Sequence, residues 1–362
     1  MPPSSDGRPR IAVVGTGWWA TQVHIPSLMS YEGAELAALV DNDPAKLRQA
    51  KEVFGAPVTY PSLEDLLSSS TQVDGVVVAT PSAYHYRLGR TVLEAGVHLM
   101  VEKPMVFRAH EAWSLVRLAE ERGLHLQVGY TYQFTKAARL LRDTLASAAI
   151  GDLLQVSAVY ASMVESYYRG RPEDYRSVFG FPVTGPDPRT YSDPAIAGGG
   201  HGQTQLTHPI GMVLWATGQR AEQVMAYMGK ADLVIDLVDA IAWRSCDGAI
   251  GTLGGSGTIR PGEPEQQEIR YYCTKGFALQ DLSRATVEVH RANGRVAIAG
   301  PDEGDPTYPS PAPVRGFADL IAGRGPNLAP GDLGARGVEF LEAAYLSAER
   351  GTPVQVQELP RA

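Results

Sequence analysis

The junction Ile11-Ala12-Val13-Val14-Gly15-Thr16-Gly17-Trp18-Trp19-Ala20 constrains this chain more than any other stretch. Four apolar residues read as a buried strand. They run directly into Gly-x-Gly-x-x-Ala and then into a helical stretch through Met29. Gly15 allows the tight turn, Gly17 lets the backbone approach a pyrophosphate, and Ala20 suffices where only close helix–strand packing is needed. The phosphates would lie over the free amides of the helix N-terminus. A glycine pattern alone is weak evidence, but a second apolar run, Glu35 to Val40, ends on Asp41. That is about 20 residues past the motif, where an acid holds ribose hydroxyls and repels a 2′-phosphate. No arginine stands at position 42 or 43, so NAD is favoured over NADP.

The chain continues this alternation. Asp43-Pro44 reads as N-cap and first residue of a helix that Gly55 ends. Ser62 caps a short helix. A strand from Val73 to Ala79 meets Thr80-Pro81, and Ser82 opens a helix that Gly96 ends. Another strand runs from Val97 through Val101 and stops at Glu102-Lys103-Pro104. A helix at about 111–122 and a strand at 125–129 complete a parallel, doubly wound sheet. Thr80, Pro81, His85, Glu102 and Lys103 therefore gather at the carboxyl edge of that sheet, where ligands bind in open α/β folds. His85, in the first turn of its helix, suits packing or capping as well as contact.

Beyond about residue 131 the pattern changes. A helix at 136–146 and a long strand at 153–163 precede residues 164–200, which show neither helical nor strand periodicity. Loops of that length are usually functional. This one carries Tyr167, Tyr168, Tyr175, Phe179, Phe181 and Tyr191 with Arg169, Arg171, Arg176 and Arg189, a composition suited to a polyhydroxylated ligand or to an oligomer contact. From Ala221 onward Asp247-Gly248, Lys275-Gly276 and Asn293-Gly294 each punctuate alternating runs, a hairpin signal. The fold expected is α/β: a Rossmann doubly wound sheet over residues 1–128, then an α+β domain over 129–362 with a large, mainly antiparallel open sheet. The late helices, at about 314–350, are placed to pack back on the first unit.

The second chemistry-bearing stretch is Gly198-Gly199-Gly200-His201-Gly202-Gln203-Thr204-Gln205-Leu206-Thr207-His208. A helix from Gly202 puts Thr204 and His208 on one face, with His201 near the same edge. Pro209 requires the helix either to start near Thr207 or to kink there. His201, His208 and Asp193 lack metal-ligand spacing, so no metal is expected.

Composition excludes some partners. A net charge of −8 disfavours nucleic acid and anionic membranes, and no apolar run has the length of a membrane span. Met1 to Arg10 lacks a secretory apolar segment and reads as a frayed arm. Two isolated cysteines, Cys246 and Cys273, read as buried free thiols of a reducing cytoplasm.

Together, Gly-Thr-Gly-Trp-Trp-Ala, Asp41, Ala79-Thr80-Pro81, Leu93-Glu94-Ala95-Gly96 and above all Glu102-Lys103-Pro104 resemble the Gfo/Idh/MocA family of NAD(P)-dependent oxidoreductases. The resemblance covers most of the chain and implies hydride transfer between NAD and a hydroxyl-bearing carbon of a sugar, glycoside or cyclitol. It makes Lys103 the proton-transferring residue, with Glu102 orienting it, and His208 its helper. Thr16, Trp18 and Trp19 fall with Gly15 and Gly17 on the cofactor. Tyr132, Tyr168, Arg169, Tyr191, His201 and His208 fall on the substrate side. The family's usual acid is Thr204 here, so His201 is the candidate to supply the missing polar group. The segment Tyr130 to Phe134 stands where an arginine is common. Two alternatives stay open: redox-assisted glycoside elimination or hydrolysis with tightly held NAD, and a non-enzymatic NAD-binding regulator. The resemblance also implies a homodimer or homotetramer through the open sheet.

Overall fold

The computed structural model describes residues 7–55 and 58–359. Most of the segment expected to be a frayed arm, residues 1–6, lies outside them. The first sheet has six parallel strands: β1 Arg10–Val14, β2 Glu35–Val40, β3 Thr59–Tyr60, β4 Gly75–Val78, β5 His98–Val101 and β6 Leu126–Val128, in the order β3-β2-β1-β4-β5-β6. The order reverses between β1 and β4, which opens a crevice at their carboxyl ends. β1, β2, β4 and β5 are apolar almost throughout because helices cover both faces, so each residue meets a core whichever way it points. The helix Pro44–Phe54 begins where expected: Asp43 accepts from the amides of Ala45 and Lys46, and Gly55 closes the helix at φ 61°. Ser82 instead opens a single 3-10 turn, and the α-helix starts at His85.

The second sheet has nine strands: β7 Leu153–Ala161, β8 Ala221–Gly229, β9 Val238–Ser245, β10 Ile250–Ser256, β11 Gln266–Cys273, β12 Gly276–Asp281, β13 Thr286–Arg291, β14 Val296–Ala299 and β15 Val354–Gln355. Their order is β14-β13-β12-β11-β7-β10-β9-β8-β15, antiparallel except for the β7–β10 pair. Each expected dipeptide turn joins its hairpin. β9 alternates exposed and buried along its whole length, as a strand with one covered face must. The covered face packs on the helices Lys136–Ala146, Thr207–Thr217 and Gly331–Arg350. The opposite face exposes Leu154, Val159, Tyr227, Val238 and Ile250.

The helix Ala312–Ile321 returns to the first sheet, where Val314, Phe317 and Ala318 join a core with Ile11, Val13, Val77 and Met100. The aperiodic stretch 164–200 is a succession of single-turn helices, among them Glu165–Tyr168, Arg176–Phe179 and Arg189–Ser192. Short turns reset the phase too often for a period to show. The cysteines correct an expectation: Cys246 is exposed at the β9–β10 turn, and Cys273 at the end of β11 is only partly buried. No helix among the described residues is long and apolar enough to cross a membrane.

Candidate active site

One cavity of about 810 Å³ joins the two sheets. Its first wall is the carboxyl edge of β1, β2, β4 and β5, with Gly15, Gly17, Trp18, Trp19, Asp41, Thr80, Pro81, His85, Glu102 and Lys103 all lining it. Gly15 stands at φ +93°, and a Cβ there would lie 2.9 Å from the Ala79 carbonyl carbon. Gly17 has open space where its Cβ would be. The carboxylate of Asp41 accepts from the Thr16 amide at 2.7 Å, the Thr16 hydroxyl at 2.9 Å and the Asp43 amide at 2.8 Å. Thr16 is therefore buried beneath the loop as its anchor to Asp41. Thr80 Oγ1 and Trp18 Nε1 are buried without a hydrogen-bond partner. An open glycine backbone, a fixed carboxylate and unpaired polar atoms fit a dinucleotide along this edge.

Lys103 projects from the end of β5 at the join of the two walls. Its peptide bond to Pro104 is cis. Its Nζ donates to the Thr204 carbonyl at 3.0 Å. The five-residue wide turn Gly202–Leu206 precedes the α-helix Thr207–Thr217, and Pro209 has no N–H to return. The transition between the two is thus short of backbone donors, and the lysine supplies one. Burial pushes the Lys103 pKa down, and the charge of Glu102 only partly opposes this.

Glu102 does not reach the ammonium. Its Oε1 accepts from His24 Nε2 at 2.9 Å and Trp19 Nε1 at 3.2 Å, and its Oε2 from the Lys103 amide at 3.1 Å. It anchors the lysine's backbone. Burial raises its pKa, but His24 and Lys103 together carry it below the ordinary value. His85 is buried with Nδ1 3.0 Å from the Pro104 carbonyl and Nε2 2.9 Å from that of Thr80. It ties two strand ends together and has no ring nitrogen left for a cofactor.

The second wall holds Tyr132, Tyr160, Ser162, Tyr168, Tyr191, Thr204, His208, Glu265, Gln267 and Tyr308. Tyr132 donates to Gln267 at 2.7 Å, and Thr131 to the Tyr308 hydroxyl at 3.1 Å. Tyr168 and Thr204 share a hydrogen bond of 2.5 Å. The His208 ring packs among Tyr132, Tyr160 and Tyr308. Its Nδ1 has no partner, and burial and then Lys103 hold its pKa well below the ordinary value, which keeps the ring neutral.

Besides Thr16, which is buried beneath the loop and does not line the cavity, two expected residues stand elsewhere. His201 is fully buried off the cavity, between Asp239 and Ser162. Arg169 is also outside the cavity lining, its guanidinium engaged by Glu165 and by both oxygens of Asp232. The triple glycine is a packing device: a Cβ on Gly200 would overlap the Asp236 backbone. Sequence reasoning missed His24, Tyr160, Ser162, Gln267 and Tyr308. His24 had a local signal, a histidine within the apolar helical run after the glycine loop. The others come together only through the order of the second sheet.

Residues 9–130 match the family model described as oxidoreductase family, NAD-binding Rossmann fold, and residues 138–279 match the Gfo/Idh/MocA C-terminal domain. The chain belongs to the Gfo/Idh/MocA family. A dTDP-3,4-didehydro-2,6-dideoxy-alpha-D-glucose 3-reductase of Streptomyces violaceoruber is 32% identical over 151 residues, 42% of this chain and 44% of that protein. Curated relatives are matched over 37% to 51% of their own length. Among solved structures, GenD2 from gentamicin A biosynthesis, in complex with NAD, superposes at a TM-score of 0.76 with 24% identity over 98% of this chain and 99% of its own. Levoglucosan dehydrogenase, in complex with NADH and levoglucosan, reaches 0.79 with 18% identity over 97% and 100%. At these identities the two structures speak to the fold of this Gfo/Idh/MocA member.

Proposed function

We propose that this protein transfers a hydride between NAD and a hydroxyl-bearing carbon of an uncharged sugar or cyclitol, with Lys103 taking or returning the hydroxyl proton. The observation that carries the reading is a desolvated lysine at the join of a dinucleotide wall and a wall of hydroxyl and amide groups. When bound, the nicotinamide supplies the hydride acceptor. Burial favours the neutral amine of Lys103, which accepts the hydroxyl proton as the carbonyl forms. The Thr204 carbonyl aims Nζ, and Glu102 with His24 holds the backbone behind it. Neutral His208 hydrogen-bonds the reacting oxygen. Tyr132, Tyr160 and Tyr308 stack along the sugar and exclude water.

Cation placement supports an uncharged substrate. Of the cavity's other cations, Arg189 is paired with Asp193, Arg87 with Glu64, and Lys46 lies at the Asp41 end. Among the described residues, no arginine lining the cavity is without an acidic partner. Asp41 supports NAD over NADP, because its carboxylate would face a 2′-phosphate. The name of levoglucosan dehydrogenase fits this class, and the relative's name shares its sugar part but adds an anionic dTDP group. Assembly of copies through the exposed face of the second sheet belongs to the same proposal.

A second reading, glycoside cleavage with retained NAD, is favoured by the roof over the dinucleotide edge. Trp18 packs on Tyr167, Phe179 and Phe181, and Gln49 donates to the Val183 carbonyl at 3.4 Å. The test is to follow nicotinamide absorbance with NAD and NADP in parallel against sugars, cyclitols and aryl glycosides. Net reduction of NAD by a neutral polyol supports the first reading. Glycoside cleavage without net reduction supports the second, and the absence of both activities overturns both readings.

A further inference from the structure

The hydride reading leaves unused a buried chain of side chains that ends at the cavity. Ser162 follows β7 and lines the cavity, and its Oγ lies 3.2 Å from His201 Nε2. His201 Nδ1 lies 3.1 Å from Oδ2 of Asp239, on β9. The imidazole crosses over β10 at Gly255, which pairs with Tyr160 on one side and Asp239 on the other. A Cβ at Gly255 would stand 3.0 Å from His201 Nδ1. We propose that Ser162 contacts the substrate and that His201 and Asp239 fix its hydroxyl as a hydrogen-bond donor into the cavity, an inference that rests on reading the cavity as a polyol site.

The polarity follows from where the charge can reside. Asp236 accepts from the Gly200 amide at 2.8 Å, the Gly202 amide at 2.7 Å and the Tyr345 hydroxyl at 2.8 Å, so both its oxygens are already supplied with donors. Asp239 beside it meets His201 through Oδ2, its Oδ1 is buried without a donor, and its carboxyl also lies within hydrogen-bond range of Asp236. An ionised Asp239 would leave that oxygen uncompensated. Burial and the neighbouring Asp236 raise the Asp239 pKa to about 9, and burial lowers that of His201 to about 3. The other groups facing this chain, Tyr160, Tyr168 and Tyr345, are buried phenols whose own pKa values are raised. The pair is therefore neutral, and because Asp236 already takes three donors the Asp239 O–H is left for Nδ1, so that Nε2–H donates to Ser162 Oγ. The one hydrogen left on Ser162 points to the cavity. An ionised Asp239 would reverse every bond and make Ser162 an acceptor.

Long-range nitrogen–proton NMR of the histidine-labelled full chain reads this directly, with His201→Gln assigning the signal. The expected result at pH 7 is a neutral His201 protonated on Nε2; protonation on Nδ1 or on both nitrogens overturns the proposal. Titration with D-glucose in the presence of NAD, followed through the His201 Nε2 signal, reports contact without any turnover. A shift in the wild type that is lost in Ser162→Ala supports the contact, and no shift overturns it. In turnover with the best polyol found, Ser162→Ala should raise KM about tenfold with kcat within about threefold, the worth of one hydrogen bond. Ser162→Thr should restore it. Asp239→Asn, whose amide can still donate to Nδ1, should keep both the tautomer and KM, and a loss equal to that of Ser162→Ala overturns the polarity. If no substrate turns over, the hydride reading fails while the NMR outcomes still decide this one.

Discussion

The two walls of the cavity are held together by different means. The dinucleotide wall is mostly backbone: strand ends bonded to strand ends, as Gly15 to Val40 at 2.8 Å and Glu102 to Val78 at 3.0 Å, with Asp41 bracing the loop. The substrate wall is a set of side-chain bonds between distant segments, Tyr132 to Gln267 and Thr131 to Tyr308 among them. The first wall rests chiefly on main-chain bonds, braced by a few side chains at the strand ends. The second can be retuned one residue at a time without disturbing the sheet beneath it. Lys103 stands where they meet, its backbone fixed by the first and its ammonium by the second.

The largest effect should therefore come from Lys103. Lys103→Ala is expected to lower kcat by about 10²- to 10⁴-fold, the usual worth of a general base, with cofactor affinity within a few-fold. Oxidation by the wild type needs the neutral amine, so its rate should rise with pH and level off above the lysine's folded pKa. Burial lowers that pKa, so the plateau should begin below the ordinary lysine value of 10.5. A pH–rate profile of the wild type and the cofactor affinity of the variant check both parts. Unchanged turnover in Lys103→Ala would remove the lysine from the chemistry.

Two glycines separate fold from function within the first wall. Gly15→Ala puts a Cβ against the Ala79 backbone at a positive φ, and should cost about 2–4 kcal/mol of stability. Gly17→Ala meets nothing within 4 Å, so the melting temperature should stay within about 2 °C of the wild type, while cofactor affinity falls at least about tenfold by obstruction of the pyrophosphate approach. Equal losses of stability in the two variants would contradict the geometry.

The buried Glu102 cluster should show itself in acid. The folded pKa of Glu102 lies below its ordinary value of 4.5, since His24 and Lys103 outweigh burial. Its contribution to stability is thus complete above pH 4.5 and is lost as pH falls through the folded value. Glu102→Gln should flatten that acid limb and lower stability at pH 7 by about 3 kcal/mol, the cost of breaking a buried pair. Denaturant unfolding at pH 7 and in acid, on both proteins, measures the difference.

The contrast between the walls also explains what could be read in the chain beforehand. Gly15, Asp41 and Lys103 act through backbone position, and strand-end motifs encode that locally. The sheet order β11-β7-β10 is what brings Gln267, Tyr160 and Ser162 to one cavity with His208, and no local spacing records it. His201 and His208 look equivalent at one end of the same helical segment. The wide turn before Thr207 sends one ring into the core and the other into the cavity. Arg169 had a local signal, since Glu165 one turn earlier is a ready partner, whereas Asp232, its second partner, comes from a distant segment.

Arg169 supplies the smallest effect and the finest discrimination. If the loop's arginines bound substrate, Arg169→Ala would raise KM by an order of magnitude or more, since a charged hydrogen bond to a ligand is worth about 1.5–3 kcal/mol. In the structure its guanidinium is already shared between Glu165 and Asp232, in a partly exposed pair outside the cavity. The expected change is under about 1 kcal/mol in stability and less than about twofold in KM and kcat. Tyr132→Phe, on the substrate wall, strips a buried hydrogen bond from Gln267 and should move KM several-fold further than Arg169→Ala does. If the arginine variant proved the more damaging of the two, the substrate wall would have to be redrawn to include the loop that carries it.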